Sequence, residues 1–370
     1  GCDGNRWQRI ALPDLDGLMQ RAGAPIAPLE VSRRIPGALR RPPEPTHRFP
    51  ETKKRKDPMS QAPAETDLTP KAPENAPEGS ADTSSAAAIQ ENVQSAIKEI
   101  SHIATLPEVT MKIIKLVEDP ESTAQDLNKV ISNAPALGAR ILKVVNSAFY
   151  GLPGQIGSIN RAIVLLGLNA VKNIAIAASL AKLFRGGKIS NNFDARDLWQ
   201  HSIATAAATR LLSNKCGLGL PDEAFLAGLI HDIGIMVEIQ ARRPKFIEAL
   251  TMVEEKGCTL REAEFACIGA THEMFGAGLC KLWKFPVSFQ YVTGFHHHPM
   301  DLVEKNRTLA CLTHVADHIA GKMELGFAHD VKLDAPISRD IMEHLNLNQG
   351  DIDEVCEQLP EAMDEAQGIF

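Results

Sequence analysis

The sequence predicts an all-α protein, and three observations carry that expectation. From about residue 90 onward apolar residues recur at intervals of three and four, the spacing of one helix face. Ala, Leu and Ile dominate this region while aromatic residues make up only 5% of the 370-residue chain, a mix that favours helices over sheets. No strand-like alternation of any length competes with the helical period.

Residues 1–88 stand apart. They hold 13 of the 23 prolines, a basic run at Lys53, Lys54, Arg55 and Lys56, and a stretch ending APEGSADTSSAAA. Too little apolar surface is present to offset the entropy of ordering it, so a disordered Pro-rich region is expected. Met59 is a candidate start within it, and the basic run reads as a solvated stretch rather than a nucleic-acid arm.

An N-terminal helical lobe is expected over 90–188. Ile97, Ile100 and Ile103 share one face, and Leu106-Pro107 restarts a helix bearing Met111, Ile114 and Val117. Asp119-Pro120 ends it, and Thr123 with Asp126 has capping-box spacing before Leu127, Val130 and Ile131. Pro135 suits a first helical position ahead of Leu137, Ile141, Leu142 and Val145. Ser158 opens INRAIVLLG, Gly167 closes it, and Asn169 is placed to cap an apolar helix reaching about Phe184.

A second helical lobe is expected over 190–322. Asp194 can cap a helix with Trp199, His201, Ile203 and Leu211, and Pro221 opens one helix running through LAGLIHDIGIMVE (226–238). Further helices are expected at about 244–256, 259–266 (Thr259 and Glu262 as a capping box), 271–283, 286–298 and 303–320. Two C-terminal helices should follow over 335–370, split near Asn348-Gln349-Gly350. Trp199 and Trp283 read as core anchors.

A net charge of -7 gives no overall basic character, so neither nucleic acid nor an anionic membrane surface is an expected partner. The longest apolar run noted, around Ala175–Leu183, is too short to span a bilayer. No basic segment followed by an apolar one opens the chain as a signal peptide would. The seven cysteines (Cys2, Cys216, Cys258, Cys267, Cys280, Cys311 and Cys356) are odd in number and lack C-x-x-C, which points to a reducing, cytoplasmic setting.

The chemistry lies in polar residues set among apolar ones. His231 and Asp232 interrupt LAGLIHDIGIMVE, and a carboxylate is rarely buried unless paired, hydrogen-bonded or bound to a metal. His201 lies in DLWQHSIATA, His272 in GATHEMFGAGL, His296 and His297 in TGFHHHPM, and Asp317 in THVADHIAGK. Singly, each reads as a hydrogen-bonded structural residue, or as a solvated helix end for the 296–298 run. Together, neutral imidazoles and carboxylates suit Fe, Mn, Zn, Ni or Co rather than Ca or Mg. Helix bundles build such sites from facing helices, and Ala227-Gly228 and Gly276-Ala277-Gly278 would let helices approach closely.

His231 and Asp232 would diverge by about 100° around one helix, which still lets both reach one ion or two neighbouring ions. Glu264, eight residues before His272, is either a partner orienting that imidazole or an exposed helical residue. Cys267 and Cys280 read as small buried hydrophobes.

The order His201, His231-Asp232, Asp317 resembles the HD superfamily of metal-dependent phosphohydrolases. Seven segments in order resemble its HDOD family, the HD-related output domain: LPEVTMKIIKLVEDP, LGARILKVVNSAFYG, IGSINRAIVLLGL, LWQHSIATA, EAFLAGLIHDIG, THEMFGAGLCKLWKFP and HHHP. The resemblance covers about residues 98–320. The resemblance implies an N-terminal helical lobe packed on an HD-like lobe, and bacterial signalling through contacts with other signalling proteins.

The related HD-GYP phosphodiesterases hydrolyse cyclic di-GMP. They imply ligands at His201, His231, Asp232, His272, His296, His297 and Asp317, holding one or two divalent transition ions (Fe, Mn, Ni or Zn). Departures weigh against catalysis. Ile235 stands where those enzymes carry a Lys, His298 stands at an acidic position, and no Gly-Tyr-Pro follows. Losing a phosphate-binding cation removes about 3–4 kcal/mol of electrostatic stabilisation. The expected function is therefore a signalling protein with an HD-type metal site and no catalysis. The alternative is a metal-dependent phosphohydrolase acting on cyclic di-GMP or another nucleotide.

Overall fold

A computed structural model of the chain describes residues 82–100, 106–147, 150–181, 187–190, 193–327 and 336–369. Among them lie sixteen α-helices and one short two-stranded pairing, so the architecture is all-α. Most of the expected Pro-rich region, and Ile103, lie outside the described residues. Helix α1 (Asp82–Ile100) begins several residues before the expected helical onset.

Helices α2 (Glu108–Glu118), α3 (Ala124–Ser132), α4 (Pro135–Val145) and α5 (Ile159–Leu166) gather around α6 (Leu168–Leu180). Thr123 and Asp126 form the capping box at α3, Pro135 occupies the first turn of α4, and Ser158 caps α5. The expected Asn169 cap is not made. Gly167, at φ 90°, both closes α5 and precedes α6, because a left-handed residue lets the chain turn without a break. Helix α6 is buried from Val171 to Leu180 and packs onto the second half of the molecule.

That half begins with an unexpected antiparallel pair, Lys188–Ser190 with Phe193–Asp194, too short to show alternation in sequence. Helix α7 (Ala195–Lys215) follows, capped by Asp194, and packs along α8 (Pro221–Ile230). Next come α9 (Ile233–Ala241), α10 (Arg243–Lys256), α11 (Leu260–Cys267), α12 (His272–Leu282), α13 (Val287–Phe295) and α14 (Glu304–Lys322). The C-terminal pair is α15 (Arg339–Leu345), against α14, and α16 (Gln349–Ile369), against α7. Helix α1 lies not on α2–α6 but across α9 and α12, where Val93, Ile97 and Ile100 are buried. Trp283 is a buried anchor, whereas Trp199 is only partly buried.

The apolar stretch is not one helix. His231 keeps helical angles (φ -53°, ψ -42°), Asp232 departs from them (φ -95°, ψ 16°), and α9 restarts at Ile233. Among the described residues the window Pro221–Ala241, rather than Ala175–Leu183, is the stretch apolar and long enough to cross a membrane by composition, with mean hydropathy 1.4. It is 83% buried inside the fold, the signature of a core segment.

Candidate metal centre

The break at His231-Asp232 follows from how closely the helices meet. A Cβ on Gly228 would lie 2.6 Å from Thr209 Oγ1 and 2.7 Å from Ala206 Cα, so glycine lets α8 sink onto α7. A Cβ on Gly234 would overlap the His272 carbonyl oxygen, so α9 touches α12 backbone to backbone. These approaches bring His201 of α7, the 231–232 junction, His272 of α12, the end of α13 and Asp317 of α14 to one place. Helix α13 ends at Phe295, earlier than expected, so His296 and His297 extend from its last turn.

All seven expected ligands converge. His201 Nε2 lies 3.3 Å from His231 Nε2, 3.6 Å from Asp232 Oδ2 and 3.0 Å from Asp317 Oδ1. His231 Nε2 is 3.2 Å from Asp232 Oδ2. A second group adjoins it: His272 Nε2 is 3.2 Å from His297 Nε2, while Asp232 Oδ1 is 3.4 Å from His296 Nε2 and 3.8 Å from His272 Nε2. Asp317 Oδ2 reaches to 3.8 Å from His297 Nδ1. The two oxygens of Asp232 thus face different groups of imidazoles.

Three of these rings are oriented by their other nitrogen. His231 Nδ1 donates to Gly228 O at 2.7 Å, His296 Nδ1 to Val292 O at 3.1 Å, and His272 Nδ1 to Glu264 Oε2 at 2.8 Å. Each tie turns Nε2 toward the centre, the arrangement in which imidazole ligates a metal. Glu264 is fully buried and also accepts from the His272 backbone N–H at 3.1 Å, which decides for the orienting role over the exposed one.

The donor set fits a transition ion. Both Asp232 oxygens, Asp317 Oδ1 and His296 Nε2 are buried without a hydrogen-bond partner, although neighbouring donors lie within 3.0–3.6 Å. Atoms that close without hydrogen-bond geometry aim at a shared point rather than at each other. Ligands held about 2.0–2.2 Å from an ion sit about 3–3.6 Å from one another in tetrahedral or octahedral sets. Two groups have ligand atoms that all lie within 4.8 Å of one another: His201, His231 and Asp232, and His272, His296 and His297.

Electrostatics agree with mutual charge compensation. Burial pulls the His231 imidazole down, but Asp232 and Asp317 outweigh it and push it up to about 9. Burial would raise both aspartates, yet the surrounding imidazoles hold each well below the usual carboxylate range. Burial, with His297 beside it, lowers His296 to about 4, and burial lowers His297 to about 3.

Several participants were not singled out from sequence. Glu273 is buried, 2.6 Å from Arg261 Nε and 3.1 Å from His298 Nδ1. Burial would raise its carboxyl, but His298 and Arg261 hold it well below the usual range. An adjacent His-Glu pair at 272–273, echoing His231-Asp232, was the available signal. His314 Nδ1 donates to His296 O at 2.7 Å, and its place one turn before Asp317 on α14 was the only hint. Ile235 is fully buried, so no side chain there points at the cluster from solvent.

With this geometry in view, the sequence profile of the HDOD domain matches residues 103–299. The chain belongs to the HDOD family. Asp317 and helices α1, α14, α15 and α16 lie outside the matched stretch of this HDOD chain. A crystal structure of an HDOD domain protein from Geobacter sulfurreducens has TM-score 0.66 at 20% identity, covering 77% of this chain and 99% of that one. A proposed signal transduction protein from Marinobacter aquaeolei VT8 has TM-score 0.61 at 22% identity, covering 76% of this chain and 65% of that one. A proposed phosphohydrolase from Shewanella amazonensis SB2B has TM-score 0.58 at 22% identity, covering 75% and 98%. At these identities the likeness is one of fold. An uncharacterised protein of Treponema pallidum (strain Nichols) is 24% identical over 199 residues, 54% of this chain. The chain spans only 38% of that curated relative's length.

Proposed function

We propose that this HDOD chain is a signal-transduction module that holds one or two divalent transition ions in its His/Asp cluster and acts through contacts with signalling proteins. The observation that carries this reading is the closure of the cluster. Six of the seven ligand residues are buried and the His297 side chain is 9% exposed, so a phosphodiester has no open approach to the ligand atoms. Ile235 adds no cation for a phosphate. The ion would supply positive charge that ties α7, α8, α12, α13 and α14 together. The chain's own residues would orient the ligands, with Gly228 O, Val292 O and Glu264 fixing three rings. All six cysteines among the described residues are free, which suits the reducing, cytoplasmic setting included in this proposal.

One observation favours a second reading, a metal-dependent phosphohydrolase acting on a cyclic dinucleotide or other nucleotide. The two Asp232 oxygens face separate ligand groups, as a carboxylate shared between two ions would. Two ions there would supply Lewis acidity toward a phosphodiester. Metal analysis of purified protein, alongside turnover of cyclic di-GMP and bis(p-nitrophenyl) phosphate, separates the readings. Bound Fe, Mn, Ni or Zn without turnover is the expected result. Turnover abolished by His231→Ala would install the hydrolase in its place.

A further inference from the structure

His201 differs from three of the imidazoles that face the centre. His231, His272 and His296 are each held through Nδ1, whereas His201 Nδ1 is buried and has no hydrogen-bond partner. Its ring direction must come from packing and from where α7 places its backbone. The first turns of α7 are pinned by a segment far along the chain. Beyond α14 the chain turns through Glu324 at φ 54°, with Leu325 N–H donating to Ala320 O at 3.0 Å, and passes under α7 at Gly326-Phe327. Phe327 N–H donates to Asp197 O at 3.0 Å.

Gly326 has φ +84°, and a Cβ there would overlap Asp197 O and lie 2.5 Å from the His201 backbone nitrogen. Phe327 is 4% exposed and meets Phe193 edge-on at 5.1 Å, while Phe193 meets Phe246 edge-on at 5.2 Å. The strap therefore joins the end of the Asp317 helix to the backbone of the His201 turn. Asp317 and His201 make the closest carboxylate–imidazole approach among the seven clustered residues, 3.0 Å.

We infer that Gly326 and Phe327 are positioning residues for the ion position formed by His201, His231, Asp232 and Asp317, setting the His201 ring where His231, His272 and His296 use an Nδ1 hydrogen bond. The inference rests on the metal-holding reading above. It separates the two ion positions, because the strap's backbone contacts fall on Asp197 and His201 of α7, which carries a ligand residue of the first position alone. Neither residue lies within the stretch matched by the family profile.

Cobalt(II) is a suitable probe, since its absorption reports ligand geometry and its titration gives affinity without any turnover. In a His297→Ala background, which disables the second position, adding Gly326→Ala should weaken Co2+ binding by about 10–100-fold, the usual effect of disturbing a ligand's support. The absorption bands of the remaining ion should also shift. In a His201→Ala background, Gly326→Ala should leave Co2+ affinity unchanged. Phe327→Ala, which loosens the strap without placing a Cβ against α7, should reproduce this pattern, and far-UV circular dichroism confirms that each variant is folded. Equal weakening in both backgrounds, or in neither, would overturn the strap while leaving the metal site standing. Wild-type protein that binds no Co2+ would overturn the strap and the metal-holding reading together.

Discussion

At Glu264 one buried carboxylate accepts from both the backbone N–H and the ring Nδ1 of His272. The charge that makes those bonds strong also makes the imidazole a better ligand. Glu264→Gln keeps an acceptor but removes the charge, and metal affinity measured by competition with a chelating dye should drop about 10-fold or more. Ile235 makes the opposite point. It is fully buried, so installing the lysine of the phosphodiesterases there would bury an unpaired ammonium. Ile235→Lys should lower unfolding free energy in urea by about 3–5 kcal/mol and produce no turnover. A stable variant that hydrolyses bis(p-nitrophenyl) phosphate would show that position 235 can reach substrate. Residue identity at the site was legible: His201, His231, Asp232, His272, His296, His297 and Asp317 were named from their apolar settings and all meet. Glu273 and His314 were not, because a helical Glu or His looks alike in sequence whether it faces a ligand or water.

Helix α11 shows how an ordinary element serves the site. Thr259 accepts from the Glu262 N–H, and Glu262 accepts from the Thr259 N–H, closing both ends of a capping box. The short helix so nucleated carries Arg261 toward Glu273 and Glu264 toward His272. Thr259→Ala should lower thermal-unfolding stability by about 1 kcal/mol. Because Glu264 is anchored at the far end of that helix, metal affinity should change far less than in Glu264→Gln. Local signals were reliable at the Thr123 and Ser158 caps, though not at Asn169, where Gly167 starts the helix instead. The break at Asp232 had no such signal. Both flanks are apolar and helix-forming, and the interruption sits beside Gly234, whose backbone meets that of His272, a contact between segments distant in sequence.

Across the whole molecule, the seven clustered residues come from five separate places in the fold and the centre lies where their helices meet. Anything that binds this centre in the folded state and not in the unfolded chain stabilises the fold by mass action, about 2.7 kcal/mol at 100 times Kd. Stripping metal with a strong chelator should therefore lower Tm by about 5–10 °C, reversibly on re-addition of the ion, as read by calorimetry. An unchanged Tm would mean that the cluster holds no ion in the protein as purified. Helix α1 belongs to this scale as well. Its residues Ile97 and Ile100 share a face, as their spacing indicates, but that face lies on α9 and α12 rather than on the helices that follow it in the chain.

The sequence by itself determined the all-α class, most helix starts and the seven polar residues that cluster. Those rest on local chemistry: periodicity, capping side chains, and polar residues stranded among apolar ones. Tertiary structure decided what local chemistry cannot: that His231 and Asp232 flank a break, that Glu264 is buried against His272, and that the cluster is closed. It also brought Gly326 beneath His201. Each depends on helix-to-helix approach, and approach is set by contacts between residues far apart in the chain.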